Sequence, residues 1–263
     1  ILWKSRKQKP YSVRRFFLLN LGLVISLFSV LFLSMSIYFS TLIRNQSYTQ
    51  TKEIMGVYNE QISQNFKNVS IYLLELCSEN ADVTNLDTVE KDSDVYASVI
   101  RIKKQFATDI ISFPCVDGFY IYAPKNDMFV TQLNSYIYET SSNFACSHAI
   151  SSLLRDAEKE KEPLDMTQWF LLHVKNESYL FRIMKIHGVY TGAWANIERL
   201  NASFKYFNEL EANVLYVDEE GNPIGNTSFS GESLHPSDAL EEPFVQTTKN
   251  GSRYLTVSNR LDY

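Results

Sequence analysis

Cysteine, glycine and histidine are scarce in this 263-residue sequence, and each scarcity excludes a class of chemistry. The three cysteines, Cys77, Cys115 and Cys146, are too few and too widely spaced for a disulfide framework, and no Cys-x-x-Cys pair marks a zinc site. One bridge at most is open to them, and buried, inert thiols are the expectation. His148, His173, His187 and His235 show neither His-x-x-x-His nor His-Glu-x-x-His spacing, so no metal site is read. The nine glycines build neither a Gly-x-Ser-x-Gly elbow nor a phosphate loop, so no catalytic residue and no cofactor is expected.

Positive charge is also lacking outside one place. Lys4, Arg6, Lys7, Lys9, Arg14 and Arg15 precede residue 16, and they leave 19 Lys plus Arg against 30 Asp plus Glu for the rest of the chain. A nucleic-acid surface would need a basic stripe, so no nucleic-acid partner is expected in this segment.

What the sequence does have is an uncharged run of 28 residues, Phe16 to Ile43, directly after those cations. As a helix it would rise about 42 Å, more than the roughly 30 Å of a bilayer core. Cations flanking a span favour the cytoplasmic side, so residues 1–15 read as a cytoplasmic tail, 16–43 as a transmembrane helix in contact with lipid, and 44–263 as extracellular across the plasma membrane. Ser34-Met35-Ser36 loosely suits signal-peptide cleavage, but the run is about twice the length of an h-region. Asn20, Ser26, Ser29, Ser34 and Ser36 interrupt it, as a packing face on another helix would, or as serines bonded to their own backbone. The sequence opens on Ile1 and stops at Tyr263 within a strand pattern, and it reads as a segment of a longer protein.

Beyond the span, Ile54, Val57, Tyr58, Ile62, Phe66, Val69, Leu73 and Leu76 recur at helical spacing and predict a long juxtamembrane helix over 44–77. Its stripe fits a core face or a homodimer seam. A polar stretch, 78–93, separates it from a second helical pattern at Val95, Val99, Ile102, Phe106 and Ile110. The period then changes to two: Asp117 to Tyr122 and Met128 to Val130 read as a hairpin around a turn at 123–127. A helix over about 144–161 follows. Next come three runs, Trp169 to Val174, Tyr179 to Ile186 and Val189 to Ile197, joined by Lys175-Asn176-Glu177-Ser178 and His187-Gly188, as an antiparallel meander requires. A helix with Leu200, Phe204, Phe207 and Leu210 leads to two hairpins, Val214–Val217 with Pro223–Ile224, and Gln246–Thr248 with Arg253–Val257.

Three stretches carry a resemblance: Val116-Asp117-Gly118-Phe119-Tyr120-Ile121-Tyr122, Tyr190-Thr191-Gly192-Ala193-Trp194-Ala195-Asn196-Ile197-Glu198-Arg199-Leu200, and Val214-Leu215-Tyr216-Val217-Asp218-Glu219-Glu220-Gly221-Asn222. In that order, after an anchor and a long helix, the chain resembles the double Cache extracellular sensor regions of bacterial receptors. The resemblance covers about residues 44–263. It implies an α+β fold with two PAS-like antiparallel-sheet domains, a membrane-distal one at 78–205 and a membrane-proximal one at 206–263 that is incomplete. It further implies a small-molecule ligand and a cytoplasmic output, commonly a histidine kinase. The amino-acid-binding branch grips its ligand with a Tyr, Arg, Trp-Tyr cluster and an Asp. Here no Arg-x-Trp-Tyr follows Val130, and Asn196 stands where an acid would be expected, so an α-amino acid ligand is disfavoured.

A pocket needs a few polar groups among aromatic walls. The candidate ligand-binding residues are Arg182, central in an apolar strand and suited to an anionic ligand, with Tyr120, Tyr122, Trp169, Trp194 and Asn196; the plainer reading makes the aromatics core and Arg182 a residue of the solvent face. Two rivals remain. Asp92-Ser93-Asp94 matches the loose metal motif of type II membrane glycosyltransferases, although acids before a helix also cap it. Six Asn-x-Ser/Thr sequons, where about three would arise by chance, fit such a glycoprotein. The other rival is an anchored adhesion or assembly module with no ligand.

Overall fold

In a computed structural model of the chain, the structure describes residues 13–88, 92–134, 141–160, 164, 168–175, 177–202, 216–217, 223–224, 244–247 and 253–256. The chain divides into two units, Ile1–Glu53 and Ile54–Tyr263.

The first helix, α1 (Val13–Glu79), is continuous for 67 residues, joining the apolar run and the juxtamembrane stripe in one element. It is the one described helix long and apolar enough to cross a membrane, and its apolar run is exposed from Phe16 to Ile43. Asn80 ends it and starts the next helix. Its backbone N–H donates to the Leu76 carbonyl at 3.2 Å, while its side-chain oxygen accepts the N–H of Asp82 at 2.8 Å, a capping contact.

Helix α2 (Ala81–Thr88) lies where only a polar stretch was expected. Two large apolar residues in eight give no period to read, yet both, Val83 and Leu86, are buried. Helix α3 (Asp92–Asp109) follows, then β1 (Gly118–Ala123), β2 (Met128–Leu133), α4 (Ser141–Glu160), β3 (Phe170–Val174), β4 (Glu177–Ile186), β5 (Val189–Asn196) and α5 (Ile197–Ala202). The predicted hairpin, helix and meander all form.

One boundary differs from expectation. Glu177 and Ser178 belong to β4, not to a four-residue loop, and Val174 pairs with Glu177 across a two-residue turn. Lys175 supplies the positive φ, 56°, that such a turn demands.

The five strands form one antiparallel sheet in the order β2-β1-β5-β4-β3. Strand alternation sends their side chains to two cores. On one face, Phe119, Ile121, Leu180, Val189, Ala193 and Ala195 pack with Phe66, Val69, Leu73 and Leu76 of α1, Val83 and Leu86 of α2, and Ile102 and Phe106 of α3. The upper stripe of α1 is therefore core. On the other face, Tyr120, Tyr122, Tyr179, Phe181, Tyr190 and Trp194 pack beneath Cys146, Ile150 and Leu154 of α4.

Two further hairpins are present, β6 (Tyr216–Val217) with β7 (Pro223–Ile224) and β8 (Phe244–Thr247) with β9 (Arg253–Thr256). They are separate two-stranded sheets, and the expected second PAS-like sheet is not assembled among the described residues. Tyr216 and Ile224 pack against the helix-backed core. Phe204, Phe207 and Leu210 lie outside the described residues.

Candidate functional site

The α4-covered face is the candidate site, because strand register lines up its rings. The two-residue turn at His187 and Gly188, with φ of 50° and 75°, sets Ile186 opposite Val189 and therefore Phe181 opposite Trp194. The turn before β4 likewise sets Phe170 opposite Phe181. The result is a ladder of five rings, one from each strand in spatial order: Phe170, Phe181, Trp194, Tyr120 and Phe129. Successive centroids lie 5.9, 6.4, 6.1 and 5.9 Å apart with interplanar angles of 23–30°. Such offset pairs are each worth about 0.5–1.5 kcal/mol beyond their area. Tyr122 and Tyr190, 6.2 Å apart, stack beside the ladder.

Two glycines make room for it. Gly118 lies opposite Trp194, whose ring would collide with any Cβ there. Gly192 lies opposite Tyr120, and the phenol passes over it so that its hydroxyl donates to the Arg182 carbonyl at 2.8 Å, linking β1 to β4 across β5. A Cβ at 192 would land on that carbonyl oxygen and on the hydroxyl. Complete burial raises the Tyr120 phenol well above its ordinary range.

Carboxylates ring the aromatic face. Tyr122 donates to Asp127 at 3.2 Å, and Arg155 of α4 donates to the same carboxylate at 2.7 Å while lying over the Tyr122 ring. Tyr190 and Lys185 both donate to Glu158 of α4, and Lys185 lies over the Tyr190 ring at 4.5 Å. Burial opposes ionisation of Glu158, but the Lys185 and Tyr190 hydrogen bonds hold it below its ordinary range. Tyr179 donates to Glu177, which also accepts from Asn196 Nδ2 at 2.8 Å. Inside this rim the Trp194 indole Nε1–H is buried without an acceptor.

Only half of the expected site residues are brought together. Tyr120, Tyr122 and Trp194 share the α4 face. Trp169 instead packs on Phe66, 4.4 Å between centroids, in the helix-backed core. Arg182 alternates with Leu180 and Met184 onto that same helix-backed side, where burial lowers its guanidinium below the ordinary range. Asn196 caps α5, its Oδ1 accepting the Arg199 N–H at 3.0 Å. Its own N–H donates to Asp117, which is buried and paired with Arg199 at 2.6 Å. Burial pushes Asp117 up to about 6, against the pull of Arg199.

Phe170, Phe181 and Phe129 complete the ring ladder but are not among the expected candidate residues, although the two short turns of the meander are enough to align the first two with Trp194. Of the metal motif, Ser93 and Asp94 bond each other at 3.4 Å, and no group of three or more potential metal ligands occurs among the described residues.

No family model and no curated protein matches the chain. Among solved structures, the chain is similar to the extracellular domain of a protein described as a histidine kinase, with 10% identity over 74% of this chain and 72% of that one, and a TM-score of 0.45. It is also similar to the ligand-binding domain of the Pseudomonas aeruginosa amino acid chemoreceptor PctC, solved with GABA (13% identity, 77% and 88% covered, TM-score 0.43). A third is the ligand-binding domain of the Campylobacter jejuni chemoreceptor Tlp3, solved with L-norvaline (12%, 77% and 84%, 0.38).

Proposed function

We propose that this chain is the extracellular sensing region of a bacterial membrane receptor with a histidine kinase output, working as a homodimer, and that a small molecule is sensed at the α4 face of the sheet. The observation that carries this reading is α1: one unbroken helix holds the 28-residue apolar run and also supplies Phe66, Val69 and Leu73 to the core behind the sheet. A helix so embedded cannot shift without repacking the sheet it supports. Ligand-driven repacking would bias it by a small piston or rotation, the kind of two-state displacement receptors use. The bacterial assignment and the kinase output rest on the double Cache resemblance of the three sequence stretches.

Pairing through α1 is supported by Val57, Ile71 and Leu74. They stand exposed at separations of 14 and three residues, the spacing of a coiled-coil stripe, on a helix whose lower part would be confined by a membrane.

Both parts are tested on the full chain in native membranes carrying Val57→Cys. Protease added outside is expected to cut within 54–263, and mild oxidation is expected to give a disulfide-linked dimer. Protection of that region in intact cells would overturn the receptor topology, and a monomer after oxidation would overturn the pairing.

A further inference from the structure

The proposal that a ligand is sensed at the α4 face leaves its chemistry open, and three observations on that face narrow it. The ladder is a layer of rings from all five strands, closed over by α4 with Tyr120, Phe181 and Trp194 fully buried, and a further flat ring would stack on it only once α4 moves. Within it the Trp194 Nε1–H is fully buried and has no acceptor, although buried donors are almost always paired.

The charges around the face select against ions. Glu177, Asp127 and Glu158 accept from the phenols at its rim, so an anion would meet like charge. The two cations there, Arg155 and Lys185, are already engaged with Asp127 and Glu158. Arg182, the cation central in β4, lies on the helix-backed side. An α-carboxylate would thus enter an apolar layer without a counter-ion, which is strongly disfavoured. An uncharged ring meets no such penalty.

We propose that the ligand of this face is a planar, uncharged aromatic molecule with one hydrogen-bond acceptor, seated between α4 and the ring ladder with that acceptor on Trp194 Nε1–H. This rests on the sensing role given to the α4 face above. The side chains that lie over the ladder, Cys146, Ile150 and Leu154, would move aside with α4. The contacts Arg155–Asp127 and Lys185–Glu158 join α4 to the sheet at partly exposed positions, where water can replace them.

The test uses the full chain in lipid nanodiscs with 15N-labelled tryptophan, so that indole N–H signals arise only from Trp3, Trp169 and Trp194, the last identified by its loss in Trp194→Phe. Quinoline, a flat ring with one acceptor, and chromone, a flat ring whose carbonyl is its one strong acceptor, are titrated beside naphthalene, a flat ring with none, and L-alanine. Quinoline or chromone is expected to move the Trp194 signal downfield and saturably, to bind at least tenfold more tightly than naphthalene, and to lose that advantage in Trp194→Phe. Equal binding of quinoline, chromone and naphthalene would overturn the role of the indole donor. A response to L-alanine alone would overturn the aromatic class and leave ligand sensing standing. Silence of the Trp194 signal to all four would overturn both, leaving the face a closed core. The comparison of quinoline with naphthalene needs no variant, so a misfolded Trp194→Phe would not obscure the result.

Discussion

On the face backed by α1, α2 and α3, the five strands present Ile121, Leu180, Val189, Ala193 and Ala195 with one aromatic from the middle strands, Phe119; on the α4 face the same strands present five-ring stacking and three tyrosines bonded to carboxylates. The first face uses small and branched side chains so that three helices can approach closely. The second is covered by one helix, and its polar bonds lie at the rim. The difference teaches that alternation within a single strand can assign close helix packing to one side and ring stacking to the other. Gly118-Phe119-Tyr120-Ile121-Tyr122 shows it in five consecutive residues.

The sharpest way to break this contrast is to truncate each side in turn. Phe66→Ala, on the helix-backed side against Trp169, is expected to cost about 3–5 kcal/mol in chemical unfolding of the full chain in detergent micelles. Leu154→Ala, beneath α4, is expected to fall near the low end of the roughly 2–5 kcal/mol range, because a single helix can settle into the space. Equal costs would remove the asymmetry.

A smaller effect comes from Asp117, at the start of β1, which joins the sheet to α5 through Asn196 and Arg199. Its folded value, about 6, lies above its ordinary 3.8, so the native state holds a proton that the unfolded chain releases. Its stabilising contribution is therefore present below pH 4 and is lost as pH rises through 6, amounting to roughly 3 kcal/mol at most. Asp117→Asn is expected to flatten this part of the stability-against-pH curve between pH 4 and 7, as followed by thermal unfolding.

The finest probe compares two buried thiols. Burial pushes both Cys77, on the helix-backed side, and Cys146, on α4, up to about 12, so iodoacetamide at pH 8 can reach either only after opening. Cys146 is expected to react first. Glu158→Gln, which weakens the Lys185 contact by no more than about 1 kcal/mol, is expected to speed Cys146 by up to about fivefold and leave Cys77 unchanged. Parallel acceleration of both would mean that α4 opens only when the whole fold does.

Much of the architecture was legible in the sequence. The 3.6-residue stripe from Ile54 to Leu76 and the three apolar runs of the meander name their elements, because a buried face repeats with the period of its backbone. Helix α2 was not legible, since two buried residues give no period. The site was only half legible. Tyr120, Tyr122 and Trp194 could be named as aromatics, but that Arg182 and Trp169 face the other way depends on which of two faces each strand turns to the helices. Pairing of β1 with β5, across some 70 residues, leaves no local trace, and it is this pairing that places Tyr120 above Gly192.

That crossing of a phenol over a bare backbone makes the two positions unequal. Position 192 is closed to every side chain by the Arg182 carbonyl alone, so glycine can persist there after Tyr120 is lost, whereas a tyrosine reaching across at 120 cannot survive the loss of glycine. The dependence between the two positions therefore runs one way, with glycine required at 192 whatever stands at 120.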